Sequence, residues 1–153
     1  MLYLIRHAEA VDTVPDHARV LSERGRGQVR ALARFLGRTR AFQPAEVWHS
    51  PLVRARETAS LLAQELGLSI PVQPVAGITP EDDPRLIAAR CSGLVQPLAL
   101  VGHEPHLGAL ASLLVAGAPE PVVFTMKKGA VLALEPAGRR WSVRWQVYPG
   151  LLE

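Results

Sequence analysis

Apolar positions follow two different periods along the chain, and these predict strands and helices in turn. The apolar runs at 2–5 and 98–101, with the segments 46–50 and 70–75, are short and bounded by turn residues, as buried strands are. Longer segments place apolar residues three and four positions apart, which predicts helices at 22–37, 51–67, 85–94 and 105–116. This alternation indicates an α/β sheet with helices on both faces.

The first helix is expected to begin at Ser22, because a serine before a periodic segment accepts hydrogen bonds from the free amides of the first turn. Its predicted buried face consists of Val29, Leu32, Ala33 and Leu36. Its other side carries a basic stripe, which consists of Arg26, Arg30, Arg34 and Arg38. The stripe is either a solvated helix face or a docking surface for an acidic partner.

Beyond Gly117 the helical spacing stops. Strands are predicted at 122–125, 130–134 and 141–148, with a hairpin turn at 138–140. The chain contains no internal repeat and no linker-like segment, so residues 1–153 are expected to form one domain.

Composition narrows the class of protein. No apolar run approaches the ~20 residues of a membrane helix, and Arg6 and His7 come too early for the apolar core of a secretory signal. The one cysteine, Cys91, excludes an internal disulfide. Although the net charge is +3, aromatic residues make up only 5%, which argues against a nucleic-acid stacking surface. We expect a cytoplasmic protein that binds neither membranes nor nucleic acid.

Guanidinium and imidazole side chains stand where three of the predicted strands stop. Arg6 and His7 follow the first strand, Arg54 opens the helix after the second, and His103 follows the strand at 98–101. If these strands are parallel neighbours, their carboxyl ends share one edge of the sheet. Two helix N-termini would lie beside them, and helix N-termini favour anions. The pattern predicts a site for a phosphate-sized anion.

The segments that carry these residues are Leu4-Ile5-Arg6-His7-Ala8-Glu9, Ser50-Pro51-Leu52-Val53-Arg54-Ala55-Arg56-Glu57-Thr58-Ala59 and Val101-Gly102-His103-Glu104-Pro105. In order and spacing they resemble the motifs of the histidine phosphatase superfamily, also called phosphoglycerate mutase-like: RHG or RHA, S-P-x-x-R-A-x-x-T, and a histidine after a strand. The match extends from residue 2 to about 116. The tail, with Phe124-Thr125 and 145–149, is similar to small bacterial phosphohistidine phosphatases of the SixA type.

The resemblance implies a single three-layer α/β/α domain with a mostly parallel central sheet. It also implies that His7 is the nucleophile and forms a phosphohistidine on the enzyme, for which its imidazole must be neutral. Arg6, Arg54 and His103 would bind the phosphoryl oxygens and stabilise charge during transfer. The resemblance makes His103 a catalytic residue as well as a phosphate-binding one. We therefore expect neither a metal ion nor an organic cofactor.

The general acid is left open by the sequence. Larger family members take a carboxylate from a loop after the third strand, and the corresponding loop here contains Glu81, Asp82 and Asp83. We rank Glu81 first, although these residues also suit a solvated acidic turn. A phosphorus–nitrogen bond needs less help from an acid than an alkyl phosphate does, because imidazole is the better leaving group.

Other chemistry is less well supported. The pair His103 and His106 lacks the i,i+4 spacing of a zinc helix and is interrupted by Pro105. Cys91 lies in a predicted helix, where we do not expect it to act as a nucleophile. Lys127 and Lys128 are expected on the surface, with a position bordering the pocket as the alternative.

These observations predict a metal-independent phosphatase that acts on phosphohistidine in a protein, such as a histidine-phosphorylated carrier domain. One alternative is a phosphatase of a small phosphate ester, such as a sugar or nucleotide phosphate. The other is a phosphoprotein-binding module without turnover. Residues 67–97 must hold one strand, the acidic loop and a helix, which leaves no room for a cap domain over the site. An open site favours a phosphorylated side chain on another protein.

Overall fold

The computed structural model describes residues 1–152, which form six strands, four α-helices and two 3₁₀ turns. The strands are β1 Leu2–Arg6, β2 Glu46–His49, β3 Val72–Pro74, β4 Leu98–Gly102, β5 Val131–Ala137 and β6 Arg140–Val147. The helices are α1 Glu23–Thr39, α2 Val53–Glu65, α3 Pro84–Cys91 and α4 His106–Ala116, and the 3₁₀ turns are Asp16–Ala18 and Pro149–Leu151.

The six strands form one mixed sheet in the order β3-β2-β4-β1-β5-β6. β1 and β2 both pair in parallel with β4, which lies between them, and β3 pairs in parallel with β2. β5 runs antiparallel to β1, and β6 antiparallel to β5. The carboxyl ends of β1, β2 and β4 therefore meet at one edge of the sheet, and the prediction of a mostly parallel α/β sheet is confirmed.

The core consists of two layers, one on each face of the sheet. Side chains of a strand alternate between faces, so in β1 Tyr3 and Ile5 join one apolar cluster whereas Leu2 and Leu4 join the other. The first cluster packs under α1 and α2, and the second under α3 and α4. This is the predicted three-layer arrangement.

The first helix begins as its sequence predicts. Ser22 is the N-cap, and its side chain accepts a hydrogen bond from the amide of Gly25 at 3.0 Å. The helix continues two residues past the predicted end at Gly37 and stops at Thr39. The next residue, Arg40, takes a left-handed conformation with φ of 54°.

Several predicted boundaries differ from the structure. The strand predicted at 122–125 is wrong, because this segment forms no strand. Val122 and Val123 lie exposed, and the amide of Val123 is bonded to the side chain of Ser112 rather than to a strand. The strand predicted at 70–75 is shortened to Val72–Pro74, and α2 begins at Val53 rather than Pro51.

Only β3, the acidic loop and α3 lie between α2 and β4, so this part of the chain forms no separate cap domain. No helix within residues 1–152 combines the length and apolar character needed to cross a bilayer.

Candidate active site

His7 lies directly after β1 and is bonded on both sides to neighbouring segments. Its amide donates to the carbonyl of Gly102 at 2.9 Å, and its carbonyl accepts from the amide of Gly129 at 3.1 Å. The ring nitrogen Nδ1 lies 2.7 Å from the carbonyl oxygen of Ala8. A carbonyl can only accept, so Nδ1 must donate, and in the neutral imidazole Nε2 keeps its lone pair. His7 is thus held in the tautomer that a nucleophile at Nε2 requires.

Arg54 is buried in the first turn of α2, with 5% of its surface exposed. Thr58, one turn later, donates from its hydroxyl to the carbonyl of Arg54 at 2.7 Å and accepts from the amide of Ala8 at 3.0 Å. The threonine of the second motif therefore joins the start of α2 to the residue after His7. These two bonds connect the start of α2 to the segment that contains His7.

His103 follows β4, next to the end of β2. Its Nε2 lies 2.7 Å from the hydroxyl oxygen of Ser50, which also accepts from the amide of Leu52 at 3.2 Å. With that amide as its donor, the Ser50 hydroxyl is free to give its own proton to Nε2. The Nδ1 of neutral His103 then carries a proton that it can donate to an anion.

The imidazoles of His7 and His103 face each other, with ring centroids 5.1 Å apart. Burial lowers the pKa of His7, as do the charges of Arg54, Arg6 and Lys128. The bond to Ala8 opposes the shift, and the resulting pKa is about 4. Burial likewise lowers the pKa of His103 to about 3, aided by His7 and Arg54. Both rings are therefore neutral near pH 7.

Three buried donors in this region have no hydrogen-bond partner within residues 1–152: Nε of Arg6, Nε of Arg54 and Nδ1 of His103. Buried donors normally find an acceptor, so such a group needs an explanation. All three belong to the residues predicted to bind a phosphoryl group. A bound oxyanion would supply acceptors for donors of this kind.

Asp16 was missed by the sequence reasoning, which assigned no role to this residue. Its carbonyl accepts from Nη1 of Arg54 at 3.0 Å, and its carboxylate lies 3.3 Å from Nη2. The same carboxylate pairs with Arg19 at 3.2 Å. Hydrogen bonding from Arg19, together with Arg54, lowers the pKa of Asp16 despite some desolvation. A lone aspartate in a polar loop carries no local signal for such a contact.

The acidic loop contains three carboxylates, of which two have local partners. Asp82 accepts from the amide and the hydroxyl of Thr79, each at 2.8 Å, and these bonds lower its pKa. Asp83 caps α3 by accepting from the amide of Arg85 at 3.0 Å. Glu81 is exposed, and its carboxylate has no such local bond among the described residues.

Cys91 is buried on the sheet face covered by α3 and α4, and burial raises the pKa of its thiol to about 11. A thiol of that pKa is a poor nucleophile at neutral pH. His49 is buried with Nδ1 at 2.8 Å from the carbonyl of Ser50, and His17 is exposed in the 3₁₀ turn beside Asp16. Across residues 1–152, no group of three or more His, Cys, Asp or Glu side chains is placed to hold a metal ion.

Known structures of the same fold cover almost the whole chain. The protein histidine phosphatase SixA, solved in complex with tungstate, superposes with a TM-score of 0.88 at 23% identity and covers 99% of each chain. A protein assigned as the phosphohistidine phosphatase SixA of Agrobacterium tumefaciens gives 0.79 at 22% identity, with 97% of each chain covered. The α-ribazole phosphatase of Shigella flexneri gives 0.78 at 19% identity, with 94% of each chain covered.

No curated protein sequence matches the chain significantly. The family model of the histidine phosphatase superfamily, branch 1, matches residues 2–79, which is just over half of the chain and includes the first two motifs. The chain therefore belongs to the histidine phosphatase superfamily, and it is a phosphatase with the SixA-like form of that fold.

Proposed function

We propose that this phosphatase hydrolyses phosphohistidine on a partner protein through a covalent phosphohistidine on His7. The observation that carries the proposal is the state of His7: a buried neutral imidazole, held by Ala8 with Nε2 free and the imidazole of His103 5.1 Å away. A site that only bound phosphate would gain from a charged imidazole. A nucleophile needs the lone pair that the lowered pKa of His7 preserves.

In the first step, Nε2 of His7 attacks the phosphorus atom and the bond from phosphorus to the substrate nitrogen breaks. The electron pair of that bond goes to the departing imidazole, which takes a proton to leave as neutral histidine. In the second step water attacks the phosphorus, the bond to His7 breaks, and inorganic phosphate leaves. His7 is then neutral again and ready for another cycle.

Arg6, Arg54 and His103 bind the phosphoryl oxygens in this scheme. Arg6 is positioned by the bond from its Nη1 to the carbonyl of Met126 at 2.8 Å, and Arg54 by its bonds to Asp16. Because Nε of each arginine is unpaired among residues 1–152, it can donate to a phosphoryl oxygen and stabilise the negative charge that develops there.

Glu81 is our proposed proton donor to the leaving group. Asp82 and Asp83 are engaged by Thr79 and by the start of α3, whereas Glu81 remains available. The loop lies beside the start of α4, since Asp82 and His106 line the same cleft, and α4 begins three residues after His103. An acid at this position matters more for an oxygen ester than for a phosphorus–nitrogen bond.

Two observations favour phosphohistidine as the substrate. The segment between α2 and β4 supplies no cap, so a phosphorylated side chain on another protein can reach the site. Two of the similar structures are SixA proteins, one of them a protein histidine phosphatase. A small phosphate ester is the second candidate, favoured by the likeness to an α-ribazole phosphatase.

The proposal is tested by rapid quench with a radiolabelled phosphohistidine carrier domain. Wild-type protein should accumulate a phosphoenzyme that is labile to acid and stable to base. In His7→Asn this label should be absent and kcat/KM should fall by more than about 1,000-fold. His17→Asn is the matched control, because it removes an exposed imidazole and should retain both label and rate.

The same assay tests Glu81 and the substrate class. Glu81→Gln should slow an alkyl phosphate more than phosphohistidine, whereas Asp83→Asn, which keeps a capping side chain on α3, should affect neither. Normal turnover in His7→Asn would refute the mechanism. If kcat/KM for a small ester exceeds that for the carrier domain by tenfold or more, the second candidate becomes the favoured substrate class.

A further inference from the structure

A cleft of about 360 Å³ lies beside the active site and shares Arg6 with it. Its other polar lining includes Arg24 at the start of α1, Glu9, and the consecutive lysines Lys127 and Lys128. Four cationic side chains thus face one carboxylate. Glu9 is itself engaged, because its carboxylate accepts from Ser22 at 2.9 Å and lies 3.8 Å from Arg24. The cleft therefore carries an excess of positive charge.

The two lysines are held in a fixed position relative to the nucleophile. They precede Gly129, whose amide donates to the carbonyls of both Arg6 and His7 at 3.1 Å. On the other side of the lysines, the carbonyl of Met126 accepts from Nη1 of Arg6 at 2.8 Å. The segment from Met126 to Gly129 is therefore tied at both ends to the strand that carries His7.

The turn also depends on its glycine. Gly129 has a φ of 76°, and a Cβ at this position would lie 2.8 Å from Cγ of Pro149. Lys127 is oriented by Tyr148, with its ammonium 4.6 Å from the centre of the aromatic ring. Lys128 is close enough to His7 for its charge to lower the pKa of that imidazole. These contacts distinguish the two lysines from unconstrained surface residues.

From this placement we infer that the cleft is a second anion subsite, which binds a carboxylate or phosphate carried by the substrate beside the phosphoryl group being transferred. The inference rests on the proposed function in one respect, namely that the phosphoryl group lies at His7. On a protein substrate the second anion is an acidic side chain next to the phosphohistidine. On a small ester it is a second acidic group of the same molecule. Charge complementarity of this kind selects between substrates.

A binding experiment tests the subsite without relying on turnover. The probes are methylphosphonate and a series of phosphonates that carry a carboxylate one to four methylene groups away, titrated into the full protein by calorimetry. At least one carboxylated probe should bind about tenfold more tightly than methylphosphonate, as expected for a few partly exposed ion pairs. Lys128→Gln and Arg24→Gln should each reduce that ratio, and Lys128→Glu should abolish it.

Arg139→Gln is the matched control, because it removes one exposed positive charge from the turn between β5 and β6. Seven residues of β5 separate that turn from the cleft, about 24 Å along the strand. The ratio should be unchanged in this variant. Equal binding of all probes, or equal effects of Arg139→Gln and Lys128→Gln, would overturn the inference.

A kinetic arm identifies the source of the anion. Phosphohistidine peptides with glutamate or with glutamine beside the phosphohistidine are compared through their kcat/KM values. A preference for glutamate that Lys128→Glu reverses assigns the subsite to protein substrates. Tighter binding of the carboxylated phosphonates without such a peptide preference assigns it to small esters. If the peptides turn over without discrimination and the phosphonates bind equally, the subsite is refuted while the proposed function stands.

Discussion

Acidification should destabilise the protein through His7 and His103, the two facing imidazoles of the candidate active site. His7 and His103 are 6% and 1% exposed, and their pKa values are lowered to about 4 and about 3. In the unfolded chain both titrate near the ordinary histidine value of about 6.5. As the pH falls through 6.5, the unfolded state binds protons that the folded state cannot, so the free energy of unfolding decreases.

The size of this effect follows from the gap between the folded and unfolded pKa values. Each pH unit between them costs about 1.4 kcal/mol per imidazole, so from pH 7.5 to 5.0 each ring should remove about 2 kcal/mol. A loss of about 4 kcal/mol from both rings is a large part of the total stability of an ordinary domain. Burial also lowers the pKa of His106, which adds to the loss, whereas burial raises the pKa of Glu104, which favours the folded state as the pH falls.

Urea unfolding at a series of pH values measures the effect. In His7→Gln the decrease between pH 7.5 and 5.0 should be smaller by about 2 kcal/mol, because the variant has lost the contribution of the His7 ring. The exposed imidazole of His17 provides the comparison, and His17→Asn should leave the decrease as it is in the wild type. A wild-type unfolding free energy that stays constant between pH 7.5 and 5.0 would show that these imidazoles are not held neutral by burial.

Two further predictions concern residues around the site. Asp16→Asn should lower the inhibition constant of inorganic phosphate about threefold, because it removes the carboxylate that competes with phosphate for Arg54 while the main-chain bond from Arg54 to residue 16 remains. An unchanged or higher inhibition constant would show that the carboxylate and phosphate do not compete. Gly25→Ala should lower the free energy of unfolding by about 1–3 kcal/mol, since its Cβ would overlap the carbonyl oxygen of Glu9 at 2.0 Å. Gly27→Ala, with no atom within 4 Å, should instead be neutral or raise it by up to about 1 kcal/mol, and equal urea midpoints for both variants would contradict the steric argument.

Predictions from local patterns agreed with the structure where burial enforces the pattern. The apolar runs of β1 and β4 and the periodic face of α1 require burial on the faces that the sequence indicates. The cap at Ser22 and the turn after β5 likewise depend on a few adjacent residues, and both form where predicted. The segment 122–125 shows the limit of this reasoning. Its residues have high strand propensity, but no neighbouring strand pairs with them.

Consecutive residues were enough to predict that guanidiniums and imidazoles follow three of the strands, because each motif is a short continuous segment. The order of the strands required the folded structure, in which β4 lies between β1 and β2 and brings His103 opposite His7. The folded structure also decided the partners of Arg54, since Asp16 reaches it across 38 positions of the chain. The basic cleft combines the start of α1 with the turn before β5. Periodicity reports which face of an element is buried, whereas the pairing of distant segments depends on packing that no local pattern encodes.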